Sequence, residues 1–371
     1  MKIRTEGKTH VGNRCSPPTG RGTPIGGGHC PSVLRSLQKY AAPMPAARVG
    51  AFLLALLCTA PSAFAQPGAD LTSFPVLRLE PSARTAALGG AFAAVADGDV
   101  NALFFNPALP GPATSRHVSF SYTNHLSDLN GGSLAYSRTL RGLGTTVHGG
   151  LRFLYAGTFD GRDRFGEPTG DFGVGDVVLT TGASRPLGSQ FRYGANLHLL
   201  YSQIDDVEAS VLAADLGGAY LVPSRQLTLG VTLRNLGVTL DRYAKRSPDL
   251  PLDLQVGVSK RLAHLPLLLT VTAYDLTNLS EGVEGGDTVD HVLGHMTFGA
   301  ELQPGDVLRL RVGYNHRRSR DLALTDRFDM AGLGLGFGIS VSALTVDYAY
   351  NSWSSLGGLH QFTLRTDLGA W

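Results

Sequence analysis

Strict alternation of large apolar with small or polar side chains, sustained from residue 117 almost to the end, most limits how this chain can fold. In "VLRLRVGYN", Leu308, Leu310, Val312 and Tyr314 share one face, and Val307, Arg309, Arg311 and Gly313 share the other. "FRYGANLHLLY" sets Phe191, Tyr193, Ala195, Leu197, Leu199 and Tyr201 against Arg192, Gly194, Asn196 and His198. A period of two specifies β-strands with one oily and one polar face. These runs approach the ~9–11 residues of a membrane-crossing strand rather than the ~5–6 of an average globular one.

Fourteen such strands are predicted, near 117–123, 132–139, 144–155, 175–186, 189–202, 209–221, 225–236, 251–262, 265–276, 292–303, 305–315, 330–340, 342–351 and 358–368. The connections alternate in length. Those at 141–143, 188–189, 223–224, 263–264, 304–305 and near Ser340 are short. Those at 124–131, 156–174, 203–208, 237–250, 277–291, 316–329 and 352–357 are longer. Short periplasmic turns alternating with longer outer loops are the mark of an outer-membrane barrel, and this parity puts both termini on the periplasmic side. The expected fold is all-β, a 14-stranded antiparallel transmembrane outer-membrane β-barrel, closed so that lipid meets no unpaired strand edge. Its last strand, "HQFTLRTDLGAW", ends on the aromatic Trp371, which resembles the signal read by the barrel-insertion machinery.

Ahead of the barrel lies "SARTAALGGAFAAVADGDVNALFFNPALP", residues 82–110. Asp97, Asp99, Asn101 and Asn106 interrupt it before the ~20 apolar residues of a spanning helix accumulate. It is expected to fold into the lumen as a plug or hatch, with Gly89 and Gly90 in its small-residue stretch, a turn at Asp97-Gly98, and a short helix started by Asn106 as cap and Pro107 at its first position.

The residues before it read as a leader. Arg48 precedes the apolar run "VGAFLLALLC" and the small-residue end Ala63-Phe64-Ala65, the layout of a secretory signal peptide. The expected division is 1–43 as an upstream extension outside the natural protein, 44–65 as signal peptide, 66–116 as plug and 117–371 as barrel. From residue 66 onward 24 basic residues face 29 acidic ones, so the net charge of that part is −5 and nucleic acid has no electrostatic purchase. All three cysteines (Cys15, Cys30, Cys58) precede residue 66, which leaves the rest of the chain without disulfide or thiol chemistry.

Candidate chemistry is sparse. "GLGLGFG" (Gly332, Gly334, Gly336, Gly338) has glycines strictly two apart and lacks the strand-to-helix setting of a nucleotide loop. It is expected to be a row of small residues on the inner strand face. His291 and His295, with Asp287 and Asp290 nearby, are expected to straddle a loop and a strand start rather than hold a metal. Asp160, Asp163, Glu167 and Asp171 lack the residue order of a calcium loop and are expected to be solvated outer surface. Arg78 and Arg84 ahead of the barrel, and Arg152, Arg192, Arg309 and Arg311 on polar strand faces, are expected to pair with interior carboxylates such as Asp215, Asp253, Asp275 and Asp347. No G-x-S-x-G or paired catalytic carboxylates occur, so no enzyme, cofactor or metal is expected.

The 82–110 stretch resembles the N-terminal signature of the long-chain fatty-acid transporter-like (FadL-like) barrels: S-A-R, then A-L-G-G-A-F, an Asp turn and N-P-A. "NHLSDLNGGSLAYSRTL", "LPLDLQVGVSKRLAHLPLLLTVTAYDL" and "FTLRTDLGAW" are similar to the PorQ family within that superfamily, outer-membrane components of the type IX secretion system. The resemblance implies a fourteen-stranded barrel set among outer-membrane lipid. It also implies a non-enzymatic anchor for a PorZ-like surface protein and other components of the complex that attaches exported cargo. Its outer loops at 156–174, 237–250, 277–291 and 316–329 are the candidate contacts. The alternative is a FadL-like channel for hydrophobic molecules, with residues 82–110 as its hatch.

Overall fold

The computed structural model describes residues 74–124, 129–162, 165–205, 207–241, 250–279, 287–322, 330–354 and 357–370. The expected extension (1–43), the signal peptide (44–65), residues 66–73 of the plug, Asp163 and Trp371 lie outside the described residues.

The alternation resolves into fourteen strands joined in one closed sheet. They are β1 (His117–Asn124), β2 (Asn130–Leu140), β3 (Thr145–Arg162), β4 (Pro168–Leu187), β5 (Phe191–Ile204), β6 (Val207–Val222) and β7 (Leu227–Asp241). The second half comprises β8 (Asp253–Arg261), β9 (Leu267–Ala273), β10 (Met296–Leu302), β11 (Leu308–Asn315), β12 (Leu333–Val341), β13 (Leu344–Ser354) and β14 (Gly357–Asp367). Each strand pairs antiparallel with its chain neighbours, and β1 meets β14 from His117↔Asp367 to Asn124↔His360, so no edge remains. Among the described residues no helix is long and apolar enough to cross a membrane.

The faces are inverted relative to a water-soluble protein. Phe120, Leu197 and Phe362 are 51%, 59% and 53% exposed, while Ser119, Ser121 and Thr363 on the opposite faces are buried. Large apolar side chains outside and small polar ones inside is the arrangement hydrocarbon demands of a barrel wall. The glycines of "GLGLGFG" follow the same rule: Gly334, Gly336 and Gly338 alternate with the exposed Leu335, Phe337 and Ile339.

Connections on the side of the termini are tight. The turns after β2, β6 and β12 each use one left-handed residue, Gly144 (φ 60), Gln226 (φ 49) and Ser342 (φ 54). The outer side departs from the sequence expectation. Residues 156–174 are largely not a loop, because β3 and β4 continue outward as a paired hairpin, through Thr158↔Gly173, Asp160↔Asp171 and Gly161↔Gly170, with Phe159 stacked on Phe172 at 5.6 Å. The longer links at 277–291 and 316–329 carry helices instead of plain loop. α2 (Thr288–Gly294) starts where the Asp287 carboxylate accepts from the backbone N–H groups of Val289 and Asp290, both at 2.9 Å. α3 (His316–Leu322) follows β11 directly.

Residues 74–116 lie inside this wall. They contain α1 (Ala83–Ala87) and the 3-10 turns Pro75–Leu77, Val100–Phe104 and Pro112–Thr114, and most of their side chains are buried. Leu88, Phe92, Val95, Leu103, Phe104 and Phe105 make a core of their own, closed against Ala135, Ala219 and Leu268 of the wall. The segment therefore has a hydrophobic centre rather than resting on polar walls throughout.

Candidate functional site in the barrel lumen

The lumenal segment is held first by shape. Inward-facing glycines let its backbone approach the strands more closely than any side chain would permit. An added Cβ at Gly194 (β5), Gly230 (β7) or Gly313 (β11) would lie under 3.0 Å from backbone atoms of Pro107, Ala93 and Gly89 respectively. At Gly299 (β10) it would lie 2.8 Å from Leu88 O, and at Gly334 (β12) 2.8 Å from Ala86 O. α1 contributes Ala83, Ala86 and Ala87, which pack against Ala349 of β13. Small residues on both sides replace the usual side-chain layer with near-backbone contact.

The residues singled out from the sequence fall along this segment. Gly89 and Gly90 have φ values of 96° and 90°, a pair of left-handed positions that turns the chain after α1. Asp97 and Gly98 form a bend, with Gly98 at φ 98°. Asn106 does not start a helix. Its Oδ1 accepts from Ala108 N–H at 2.9 Å and closes one turn, while its Nδ2 donates to Ala93 O at 2.8 Å and Gly218 O at 3.2 Å. Leu109 N–H donates to Asn106 O at 3.0 Å, so one capped turn forms at Pro107-Ala108 but does not continue as a helix. Asn106→Ala is expected to lower stability by about 1–3 kcal/mol, because buried partners lose their bonds. Chemical-denaturation midpoints of the folded barrel measure it.

The segment is held secondly by charge. Arg84, only 3% exposed, donates through Nε and Nη2 to Glu301 of β10 at 2.8 and 2.9 Å, and through Nη1 and Nη2 to Asp97 at 2.9 and 2.6 Å. Its Nη1 also reaches Asp99 at 3.3 Å. Arg311 of β11 links Glu301 to Asp347 of β13, both at 2.7 Å. Arg365 of β14 joins Asp347 at 2.9 Å and Asp99 at 3.5 Å. Burial alone would raise the Asp97 carboxyl, but the Arg84 guanidinium outweighs it and holds Asp97 well below the usual carboxylate range. Burial would likewise lower Arg84, and Asp97, Glu301 and Asp99 together raise it instead.

The expected arginine pairings are thus corrected in part. Arg311 pairs with Asp347 as expected, and Arg84 pairs within its own segment and with Glu301. Arg192 donates to the carbonyls of Leu109 (2.7 Å) and Pro110 (3.3 Å). Arg152 donates to Leu77 O at 3.3 Å and stacks on Phe104. Asp215 instead bonds His198 at 2.7 Å, Asp253 lies 3.9 Å from Arg234, and Asp275 pairs with Arg317 at 2.6 Å. Arg78 is exposed. Glu301 and Arg365 carry no expectation from the sequence, and Asp99 figures there only as a polar interruption of the 82–110 stretch. Glu301 does carry a signal, a carboxylate on the inward parity of β10 directly opposite Arg311.

One buried constellation has the connectivity of a nucleophile–base–acid triad: Thr180 Oγ1 to His198 Nδ1 at 2.9 Å, and His198 Nε2 to Asp215 Oδ2 at 2.7 Å. Thr180 has no exposed surface and His198 only 2%, so no substrate reaches it, and it serves as a wall-to-wall polar tie.

On the outer side, Arg318 of α3 pairs with Glu80, and Arg317 lies between Asp275 and the Tyr274 ring. His291 sits on α2 and His295 caps it, which corrects the loop-and-strand expectation. His295 Nδ1 lies 3.1 Å from both Tyr274 O and Arg317 Nη2. Asp290 is bound by His316 at 3.0 Å and Arg320 at 3.2 Å, contacts that keep its carboxyl below the usual range. Asp160 and Asp171 are cross-strand neighbours on the exposed hairpin, and Glu167 lies at its tip. Among the described residues no group of three or more His, Cys, Asp or Glu side chains is arranged to hold a metal ion.

No family model matches the sequence, and no curated protein matches it. Among solved structures, the chain is similar to the toluene transporter TodX of Pseudomonas putida, at 12% identity over 78% of this chain and 97% of that one, with a TM-score of 0.49. It is similar to the CymD monoaromatic hydrocarbon channel at 12% identity, over 79% of this chain and 97% of that one, with a TM-score of 0.49. A FadL homologue of Pseudomonas aeruginosa matches at 12% identity, over 77% of this chain and 98% of that one, with a TM-score of 0.47.

Proposed function

We propose that the barrel admits small apolar molecules and holds them against the inner wall of β3–β6, where residues 74–77 now lie. One observation carries this reading. A barrel lumen is ordinarily polar, yet Leu154, Val178, Leu200, Ala209, Val211 and Ala213 form a continuous apolar inner patch in the outer half of these strands. Phe74, Val76 and Leu77 cover it. The β3–β4 register slips beside it, between Tyr155 and Thr158, and Leu154 also borders a cavity of about 550 Å³ there. An apolar patch facing a lumen is useful when something apolar displaces its cover.

Toluene is a suitable probe. Full-length barrel in liposomes is expected to speed its entry, and Leu154→Ser with Leu200→Ser to slow that entry about tenfold, the effect of roughly 1.4 kcal/mol of lost apolar contact. Entry no faster than through protein-free liposomes would overturn the reading.

A second reading is favoured by the outer surface. The β3–β4 hairpin projects beyond its neighbours, and elsewhere on the same rim α2 and α3 pack on each other, two features open to a protein partner. We propose this rim as the contact for a PorZ-like surface protein in a type IX attachment complex, with the barrel as its non-enzymatic anchor. Deleting the barrel should release that partner from cells. A partner still surface-bound in the deletion strain contradicts the anchor.

A further inference from the structure

At the periplasmic mouth, opposite the apolar patch, lies a cavity of about 270 Å³. Its wall holds four guanidinium groups, those of Arg84, Arg261, Arg309 and Arg365, with Asp97, Glu301 and Asp367 as its carboxylates.

Counting partners shows which cations are occupied. Arg84, Arg311 and Arg365 are engaged by Asp97, Asp99, Glu301 and Asp347 at the distances given above. Among the described residues the only carboxylate Arg261, at the end of β8, reaches is Asp97, at 3.6 Å, and Arg84 already holds that carboxylate more closely. Arg309, at the turn end of β11, has no carboxylate within 4.0 Å among the described residues, and its bond is to the Ser340 hydroxyl. Asp367, the last carboxylate of the wall, lies 3.8 Å from His117 and accepts from Gly369 N–H at 2.7 Å. Two half-exposed guanidinium groups therefore open into one cavity, one sharing its carboxylate with Arg84 and the other with no carboxylate within 4.0 Å among the described residues. Planar guanidinium forks match oxyanions in charge and geometry.

We propose that this cavity is a binding site for a small oxyanion, a carboxylate or phosphate group, held between Arg261 and Arg309. Gln303 and Thr345 in the same wall supply neutral polar contacts. The site uses none of the residues of the apolar patch, so it stands or falls apart from the transport reading.

The test is titration calorimetry on the full-length barrel in detergent, at constant chloride-balanced ionic strength, with inorganic phosphate in one arm and acetate in the other. Saturable binding of at least one of them is expected, and the arm that binds identifies the group. Arg309→Gln is expected to weaken it about tenfold or more, as loss of a charge-assisted bond does. Arg309→Lys, which keeps charge but not the fork, should fall between. Heat-modifiable migration of each variant on gels confirms that it is folded. Saturation in neither arm, or unchanged affinity in folded Arg309→Gln, overturns the proposal. Arg261→Gln supplies the same comparison should Arg309→Gln not fold.

Discussion

Gly230→Ala will drive the lumenal segment off the β7 wall. The new methyl would lie under 3.0 Å from the Ala93 carbonyl, with Ala94 Cα on its other side, and neither is the flexible end of a side chain. Overpacking of a tight core costs about 1–3 kcal/mol per site when the surroundings can shift. Here the obstacle is backbone, so the upper part of that range is expected. Adding Gly194→Ala, which meets Pro107 O across the lumen, forces a second displacement in the same element. The double variant should still form a heat-modifiable barrel, because both positions lie on continuous antiparallel ladders. Its residues 82–110 should become open to limited proteolysis, and its conductance in planar bilayers should rise above that of the parent. A double variant with protease protection and conductance like the parent would show that the fit between wall and segment is loose.

Arg84→Ala should have the larger effect on stability. It removes the one cation that touches Asp97, Asp99 and Glu301 together, and leaves their charge buried. Breaking a buried ion pair on one side costs about 3–5 kcal/mol, much of it from the stranded partner. Arg84→Lys keeps the charge but cannot make five bonds from one planar fork, and should recover only part of the loss. Unfolding midpoints in denaturant read both.

The pH dependence follows from Asp97. A carboxyl held below its ordinary value adds stability above the unfolded aspartate's pKa and loses it only as pH falls through its own lowered value. Protease protection of 82–110 should therefore persist through mildly acidic pH in the parent. Loss of protection near the ordinary aspartate range would contradict the clamp.

The barrel was legible because lipid and the pleat impose one rule on every strand, and each of the fourteen predicted stretches became a strand. The outer side was less so. Residues 156–162 lack clean apolar alternation, because a hairpin standing beyond the membrane has no lipid to face, and cross-strand pairing alone keeps it extended. The helix 288–294 carries a cap signal in Asp287, but a strand was expected to begin at 292, and that expectation split the helix between loop and strand. In the lumen, the bends at Gly89-Gly90 and Gly98 were readable from glycine itself. The fate of Asn106 was not, since its amide answers to Ala93 and Gly218, contacts between residues far apart in the chain. Glu301 was legible only in part: its pairing with Arg311 shows in the strand register, but its other partner, Arg84, comes from the N-terminal segment.

Where β1 meets β14, the segment touches both sides of the join. Ala83 N–H donates to Thr363 Oγ1 of β14 at 2.8 Å, Asn101 Nδ2 donates to Ser119 Oγ of β1 at 3.0 Å, and Ser121 bonds Thr363 directly across the seam at 2.8 Å. The first and last strands thus meet over a surface supplied by the same chain. Seam and filling are one cooperative unit: zipping the final pair of edges buries groups of the segment too, so the ends of the chain are joined by their contents as well as by their ladder.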